Sequence, residues 1–193
     1  RRLNRQLERF NALPRTGKVG LLQLDWPRAC QKNARMSSLS RQPATAALRC
    51  ARQAWKVQYS DSARSLTLAE QALVRALARG DVEAEGWARL TLGHYRLRYD
   101  SPSEALVELE AALRCFSSCG DRRGEIMAQV AQARCHWRQG QVLAPLGRVM
   151  ALRNDGMQVL NPEERSMMLN VIAGCHSSRG DSPEAFAYLY QAL

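Results

Sequence analysis

Apolar side chains in the second half of the chain recur at the spacing that places them on one face of a helix. One stripe consists of Ala88, Leu92, Tyr95 and Tyr99, and a second consists of Leu106, Leu109 and Leu113. Apolar positions three or four residues apart are typical of an amphipathic α-helix, whereas a half-buried strand alternates every second residue. The pattern therefore predicts an all-α fold.

The helical stripes themselves repeat at a step of 40 residues. Gly80-Asp81 returns as Gly120-Asp121, and Glu104-Ala105 returns two steps later as Glu184-Ala185. The other matched positions are Ala88 and Ala128; Gly93, Ala133 and Ala173; Leu109, Val149 and Leu189; and Ala112, Leu152 and Ala192. A fixed period in this range indicates a stack of helical units, each of which buries its apolar face only against its neighbours.

Turn residues divide the chain from Ala44 onward into four helix pairs. Glycine suits the left-handed position after a helix, Asp or Ser caps the next helix, and Pro fits its first turn. We predict helices at about 44–59 and 62–79, 82–99 and 102–118, 121–139 and 142–154, and 162–179 and 182–193. The corresponding repeat units are about 44–80, 81–120, 121–160 and 161–193.

Residues 1–43 do not take part in the repeat. Leu3, Leu7 and Phe10 are spaced as one face of a short helix, and Asp25-Trp26-Pro27 predicts the start of another that runs to about Met36. We expect this basic segment either to cap the first repeat or to pack along the array. The chain opens with Arg1 rather than Met and still has a helical pattern at Leu193, so we expect it to be a piece of a longer protein.

The second unit resembles a tetratricopeptide repeat. Its Leu92-Gly93, Asp100, Glu104-Ala105-Leu106 and Ala112-Leu113 match the family's motif, and the fourth unit matches through Gly180-Asp181, Glu184-Ala185 and Ala192-Leu193. The third unit keeps the turn at Gly140-Gln141 but has Pro145 in place of a small alanine. The resemblance covers about residues 44–193 and implies a right-handed α-solenoid of about four helix-turn-helix repeats.

Two departures qualify the resemblance. The step is 40 residues rather than the family's usual length of about 34, which implies longer helices like those in the tetratricopeptide-like arrays of large bacterial regulators. The position near the end of the first helix, where the motif prefers an aromatic residue, holds Arg96, His136 and His176. Armadillo and HEAT arrays have periods near this length, but the Gly-Asp and Glu-Ala signals fit them less well.

The net charge of +10 lies almost entirely in the first third of the chain. Residues 1–64 carry 14 Lys and Arg against 3 Asp and Glu, whereas residues 65–193 carry 14 against 15. Such a segment attracts nucleic acid, an anionic membrane or an acidic protein, but charge alone gives non-specific attraction rather than recognition. Nucleic acid is therefore not the expected partner. No apolar run is long enough to span a membrane and no signal peptide is evident, so we expect a cytoplasmic chain with reduced thiols.

Two Cys-His dipeptides, Cys135-His136 and Cys175-His176, suggest a zinc site because zinc prefers such ligands. They stand one repeat apart, however, and neighbouring residues on a helix point about 100° apart, so buried free thiols are the preferred interpretation. Cys115 and Cys119 share one helix face without disulfide geometry. No nucleophile elbow, phosphate loop or His-Glu-x-x-His motif is present, so we predict no catalytic site, metal or cofactor in this chain.

The resemblance implies a groove lined by the first helix of each repeat. Carried over position by position, the groove residues are Trp87, Leu90, His94, Leu97 and Arg98 in the second unit; Met127, Val130, Arg134, Trp137 and Arg138 in the third; and Met167, Asn170, Ser177 and Ser178 in the fourth. The alternative for residues such as Trp87 and Met127 is packing against the next repeat. The arginines would suit an acidic or C-terminal carboxylate peptide, through bidentate contacts.

These expectations favour a protein-interaction or regulatory module without enzymatic activity of its own. Arrays of this long type resemble the N-terminal sensory regions of bacterial signalling proteins, so a GGDEF diguanylate cyclase is the expected output domain. Three alternatives stay open from the sequence. The chain could be the regulatory arm of a helix-turn-helix transcription regulator, a homodimerising arm, or a nucleic-acid binder that uses its basic first third.

Overall fold

The structure is a computed structural model that describes residues 44–193, and all the regular elements in that range are α-helices. They are α1 (Ala46–Val57), α2 (Ser62–Arg79), α3 (Val82–Tyr99), α4 (Pro102–Cys119), α5 (Arg122–Arg138), α6 (Leu143–Val159), α7 (Pro162–Ser178) and α8 (Ser182–Ala192). The predictions made for residues 1–43, including the helix from Asp25 to about Met36, lie outside the described residues.

Glycine and aspartate form the turns between successive helix pairs. Gly80 and Gly120 adopt φ values of 65° and 74°, in the left-handed region that residues with a Cβ atom disfavour. The following aspartate then caps the next helix. Oδ1 of Asp81 accepts a hydrogen bond from the backbone N–H three residues later at 3.1 Å, and Asp121 does the same at 3.0 Å. These short motifs set where each helix pair begins.

The helices stack in two layers. The odd-numbered helices α1, α3, α5 and α7 contact one another in that order, and each also contacts the even-numbered helix that follows it. Each even-numbered helix up to α6 contacts the next odd-numbered helix as well. We call the odd-numbered helices the inner layer, because side chains of its first and last members meet across it, and the even-numbered helices the outer layer. Contacts that run from repeat to neighbouring repeat are those of a solenoid.

Small residues let the two layers approach closely. Phe116 of the outer helix α4 lies between Gly86 of α3 and Gly124 of α5. A Cβ atom at either glycine would lie within 2.8 Å or 2.3 Å of the phenyl ring, respectively, so both positions require the absence of a side chain. Alanines at the matched positions 88 and 128 are fully buried in the same core. The 40-residue recurrence of small residues thus reflects repeated helix contact.

The predicted all-α, solenoid-like stack of helix pairs is confirmed. One boundary was wrong, because α6 continues to Val159 rather than ending near residue 154. Asn154 and Asp155 favour turns, but Gly156 is buried against Met168, and Leu160, directly after the helix, is 2% exposed. No helix in residues 44–193 combines the length and the apolar character that crossing a bilayer requires.

Candidate ligand-binding face

Glu164 of α7 is a buried carboxylate, 1% exposed, that accepts four hydrogen bonds. Its Oε1 accepts from Trp55 Nε1 of α1 at 2.9 Å and from Arg123 Nη2 of α5 at 2.7 Å. Its Oε2 accepts from Arg123 Nε at 2.8 Å and from the backbone N–H of Asn161 at 3.3 Å. A carboxylate removed from water needs such donors. Trp55, Arg123 and Glu164 are hereafter called the Glu164 bridge.

The Glu164 bridge shows that the inner layer is curved. It joins α1 to α7, although Trp55 and Glu164 are 109 residues apart in the sequence. In the order of packing, α3 and α5 lie between these two helices. A flat layer of four helices about 8–10 Å apart would hold the first and fourth far out of side-chain reach. The first and fourth repeats therefore meet on the inside of the curve.

Aromatic rings pack beside the bridge. The Trp55 ring meets Trp87 and His94 edge-on, with centroid distances of 5.8 Å and 4.8 Å. Trp87 also contacts Phe116, and the Arg123 guanidinium carbon lies 5.0 Å from the centroid of the Trp87 ring. The Trp87 indole N–H donates to Asp121 at 2.9 Å, so its polar group is satisfied. This end of the inner face is a packed aromatic cluster beside the bridge.

Further along α3 and α5 the same face opens into a cavity of about 360 Å³, here called the Arg134 cavity. Its lining comes from α3, α5, α7 and the turn after α1, and it consists of Tyr59, His94, Val130, Ala131, Arg134, Trp137, Ser166, Met167, Asn170 and Val171. The wall is mostly apolar and aromatic, with a few polar groups. This is the composition of small-molecule and side-chain binding sites, and the volume lies within their usual range.

The polar groups of the Arg134 cavity are poorly paired. Arg134 makes no salt bridge with any residue of the 44–193 region, and no Asp or Glu lines the cavity. The His94 ring is 7% exposed, and its Nε2 has no hydrogen-bond partner among the described residues. Burial, together with the positive charges of Arg134 and Arg98, lowers the pKa of His94 from 6.5 to about 3. The imidazole is therefore neutral near pH 7, and the cavity carries an uncompensated positive charge.

A second and larger cavity, of about 920 Å³, adjoins the first. Tyr59 and Met167 line both. One wall of this cavity is the basic side of α1, with Arg49, Arg52 and Lys56. Arg52 is paired with Glu83 at 2.6 Å, and the residues of the Glu164 bridge also line the cavity. Three of its charged side chains, Arg52, Arg123 and Glu164, are thus committed to salt bridges.

The predicted groove residues fall into three groups. His94, Arg134, Trp137 and Asn170 meet in the Arg134 cavity. Trp87 is 1% exposed and belongs to the aromatic cluster, and Met127 is fully buried in the core, which is the packing alternative considered for both. Leu90 and Leu97 of α3, also predicted for the groove, are buried in the same core.

Arg98 and Arg138 form the third group, because each binds the end of the preceding inner helix. Arg98 Nη1 donates to the carbonyl oxygen of Gln58 at 3.2 Å, with its guanidinium 4.5 Å from the centroid of the Tyr59 ring. Arg138, 40 residues later, donates to the carbonyl oxygen of Leu97. Carbonyls in the last turn of a helix lack intrahelical partners and carry partial negative charge. Both arginines thus connect adjacent repeats.

Trp137 is fixed in the cavity wall by α7. Its indole N–H donates to Ser178 Oγ at 2.8 Å, and its ring lies against Gly174, where a Cβ atom would come within 2.3 Å. Gly174 stands at the repeat position that holds His94 in α3 and Arg134 in α5. The absence of a side chain at this position allows the indole to approach α7 this closely.

Tyr59, Ser166 and the Glu164 bridge were not predicted from the sequence. The local part of the bridge has a sequence signal, since Asn161 and Glu164 form a capping box at the start of α7. The partners Trp55 and Arg123 have no such signal, because they depend on curvature accumulated over three repeats. Tyr59 lies in the turn after α1 and is brought in by the same curvature.

The four cysteines considered as metal or redox groups are Cys115, Cys119, Cys135 and Cys175. Cys135 and Cys175 are fully buried, and burial raises the pKa of the Cys135 thiol to about 11 and also raises that of Cys175. Burial likewise raises the pKa of Cys115 and Cys119. Within residues 44–193, no group of three or more His, Cys, Asp and Glu side chains has the arrangement of a metal site. These four thiols are poor nucleophiles at neutral pH.

Comparisons of this chain with protein-family models, with curated proteins and with solved structures found no match.

Proposed function

We propose that this chain is a protein-interaction module that binds a protein or peptide partner on its inner layer. The observation that supports the proposal is the Arg134 cavity, where a guanidinium without a carboxylate partner stands among aromatic and apolar side chains. A positive charge held in a partly closed site attracts an acidic group, and a partner brings the missing counter-charge. The expected partner is therefore an acidic protein segment.

The tetratricopeptide resemblance extends the proposal to a role in signalling. By that resemblance, the chain would be the regulatory or sensory part of a larger bacterial signal-transduction protein, upstream of a GGDEF diguanylate cyclase domain. The curved inner layer supports such a role, because a ligand that bridges several repeats changes the curvature they share. The sequence of the full-length gene product tests this extension, since any domain after Leu193 would identify the output.

Selection from a displayed peptide library tests the interaction proposal. The 193-residue chain is used as bait, beside the Arg134→Glu variant and the matched control Arg148→Glu. Arg148 lies exposed on the outer helix α6, remote from the cavity lining. We expect acidic peptides that bind the native chain and the control but lose at least tenfold in affinity to Arg134→Glu, because the new carboxylate repels them. Enrichment of no peptide, or of peptides indifferent to the charge at residue 134, would contradict the proposal.

A second candidate function, self-association, is favoured by α8. Phe186, Leu189 and Tyr190 are exposed on this last described helix, with Tyr190 exposed to 76%. Apolar and aromatic groups concentrated on one helix are typical of an interface. Sedimentation of the native chain and of Phe186→Asp tests it. A native dimer that dissociates on this change supports self-association through α8. A native chain that stays monomeric across micromolar concentrations excludes it.

A further inference from the structure

We propose that one buried water molecule is a fixed part of the joint between the first and second repeats, held by Gln58, Thr91 and His94 in a small cavity, here called the Gln58 cavity. The inference goes beyond the proposed function, because this site lies inside the joint and needs no partner protein. It rests on the size of the cavity and on the buried polar atoms of its wall.

The Gln58 cavity has the size of a single water molecule. It measures about 10 Å³, counted as the space open to the centre of a water-sized sphere, whereas the Arg134 cavity measures about 360 Å³. One water needs about 10–15 Å³ on this scale, so the cavity is too small for an organic ligand. Its lining comes from the turn after α1, from α2 and from α3, and consists of Gln58, Ser65, Thr91, His94, Tyr95, Arg98 and Tyr99.

Two buried atoms of the lining residues have no hydrogen-bond partner within residues 44–193. They are Gln58 Oε1 and His94 Nε2, and each residue is only 7% exposed. His94 also lines the Arg134 cavity, and Gln58 lines the cavity of about 920 Å³, but an atom that faced either of these larger spaces would be accessible to solvent. Both buried atoms are therefore best placed at the Gln58 cavity. Buried polar atoms without a protein partner are the groups that internal waters bridge.

Two hydroxyl groups complete the polar wall. The Ser65 hydroxyl donates to the carbonyl oxygen of Ala54 at 2.9 Å, and the Thr91 hydroxyl donates to that of Trp87 at 2.9 Å. Their protons are thus used, whereas the lone pairs of the two oxygens stay free to accept. Together with Gln58 Oε1, the wall offers three oxygen acceptors, which suit a molecule with two protons to donate.

The balance of protons assigns the tautomer of His94. Because the water donates both its protons to oxygen acceptors, its own oxygen needs a donor. Burial, with the charges of Arg134 and Arg98, lowers the pKa of His94 to about 3, so the ring is neutral near pH 7 and carries one N–H. That proton lies on Nε2, which donates to the water. A metal cation at this place would instead meet the N–H group and the Arg98 guanidinium.

The water connects side chains that belong to different repeats. Gln58 follows α1 of the first repeat, whereas Thr91 and His94 lie on α3 of the second. Arg98 Nη1 already holds the backbone carbonyl of Gln58 at 3.2 Å, and the water holds the side chain of the same residue. Because its only N–H is used by the water, His94 has no donor left for a ligand in the Arg134 cavity, which it also lines.

Oxygen-17 magnetic relaxation dispersion tests the inference on the full 193-residue chain, because it counts water molecules that stay bound far longer than surface waters. The samples are the native chain, Gln58→Met and the matched control Gln53→Met. Gln53 lies exposed on α1 and does not line the Gln58 cavity. We expect the native chain and the control to hold one long-lived water more than Gln58→Met, which replaces an amide acceptor with a thioether. Equal counts in all three samples would overturn the inference.

The tautomer of His94 gives a second test that needs no variant, so it stands even if Gln58→Met folds poorly. Long-range ¹H–¹⁵N correlation spectra of the histidine rings distinguish a protonated from an unprotonated ring nitrogen. We expect Nε2 of His94 to be protonated and Nδ1 to be unprotonated near pH 7. A proton on Nδ1 would overturn the assignment. So would a crystal structure of the native chain without an ordered water at about 2.7–3.2 Å from both Gln58 Oε1 and His94 Nε2.

Discussion

The two ends of the inner face use charged groups in opposite ways. At the Glu164 bridge, every ionised oxygen has a donor, the carboxylate is 1% exposed, and the contacts join three repeats. In the Arg134 cavity, the guanidinium makes no salt bridge within residues 44–193, and the buried His94 Nε2 has no hydrogen-bond partner there. Paired groups stabilise the fold, whereas unpaired groups in a cavity stabilise only a complex. Pairing, rather than charge itself, therefore separates the architectural residues from the candidate binding residues.

The largest expected effect is at Glu164. Glu164→Ala removes the acceptor of Trp55 and Arg123 together with the capping box of α7. We expect the free energy of unfolding to fall by about 3 kcal/mol, the lower end of the range for a broken buried ion pair, because the Arg123 side chain is 36% exposed and regains water. Urea unfolding measures the change. Glu163→Ala, at the adjacent exposed position, should change stability by no more than about 0.5 kcal/mol. Equal effects at the two positions would show that the bridge is not structural.

The next largest effect should be a loss of stability at acidic pH, which arises because His94 is buried in its neutral form. Its folded pKa of about 3 lies below the unfolded value of 6.5, so the unfolded chain takes up the proton first as pH falls. The contribution of His94 to the free energy of unfolding is therefore fully present above about pH 6.5. It is lost progressively as the pH falls toward the folded pKa. The loss amounts to about 2 kcal/mol between pH 7.5 and pH 5. Urea titrations of the native chain and of His94→Gln at both pH values measure it. A native chain whose stability changes no more than the variant's would contradict the assigned burial.

A smaller effect is expected where Trp137 meets α7. Gly174→Ala places a Cβ atom within 2.3 Å of the indole, so the ring must move into the Arg134 cavity and lose its bond to Ser178. We expect about 1–2 kcal/mol of destabilisation and a change in near-ultraviolet circular dichroism. Gly147→Ala is the matched control, because no atom lies within 4 Å of its added methyl group and alanine favours a helix. Its thermal midpoint should stay the same or rise. A lower thermal midpoint in both variants would mean that any added methyl group is destabilising, whether or not it meets the indole.

What the sequence could predict was set by the range of each interaction. The turns at Gly80-Asp81 and Gly120-Asp121 rely on bonds within four residues, so helix positions were largely predictable. His94, Arg134 and Asn170, which the register carried from repeat to repeat had placed on one face, line the same cavity. The Trp55–Glu164 contact was not predictable, because it depends on small rotations summed over three repeats. Trp87 and Met127 are buried in the core, and equal spacing alone could not separate them from the exposed Asn170.

The smallest expected effect compares two arginines that lie one helical turn apart on α5. Arg138 donates to the carbonyl oxygen of Leu97, whereas Arg134 has no bonded partner among residues 44–193. Arg138→Met should therefore lower the free energy of unfolding by about 1 kcal/mol, the value of one charge-assisted bond at an exposed helix end. Arg134→Met should change it by less than about 0.5 kcal/mol, or raise it slightly, because a half-buried charge is removed and no bond is lost. Parallel urea titrations measure both. Equal destabilisation would mean that Arg134 already has a stabilising role in the free chain, and its charge would then not be available for a ligand.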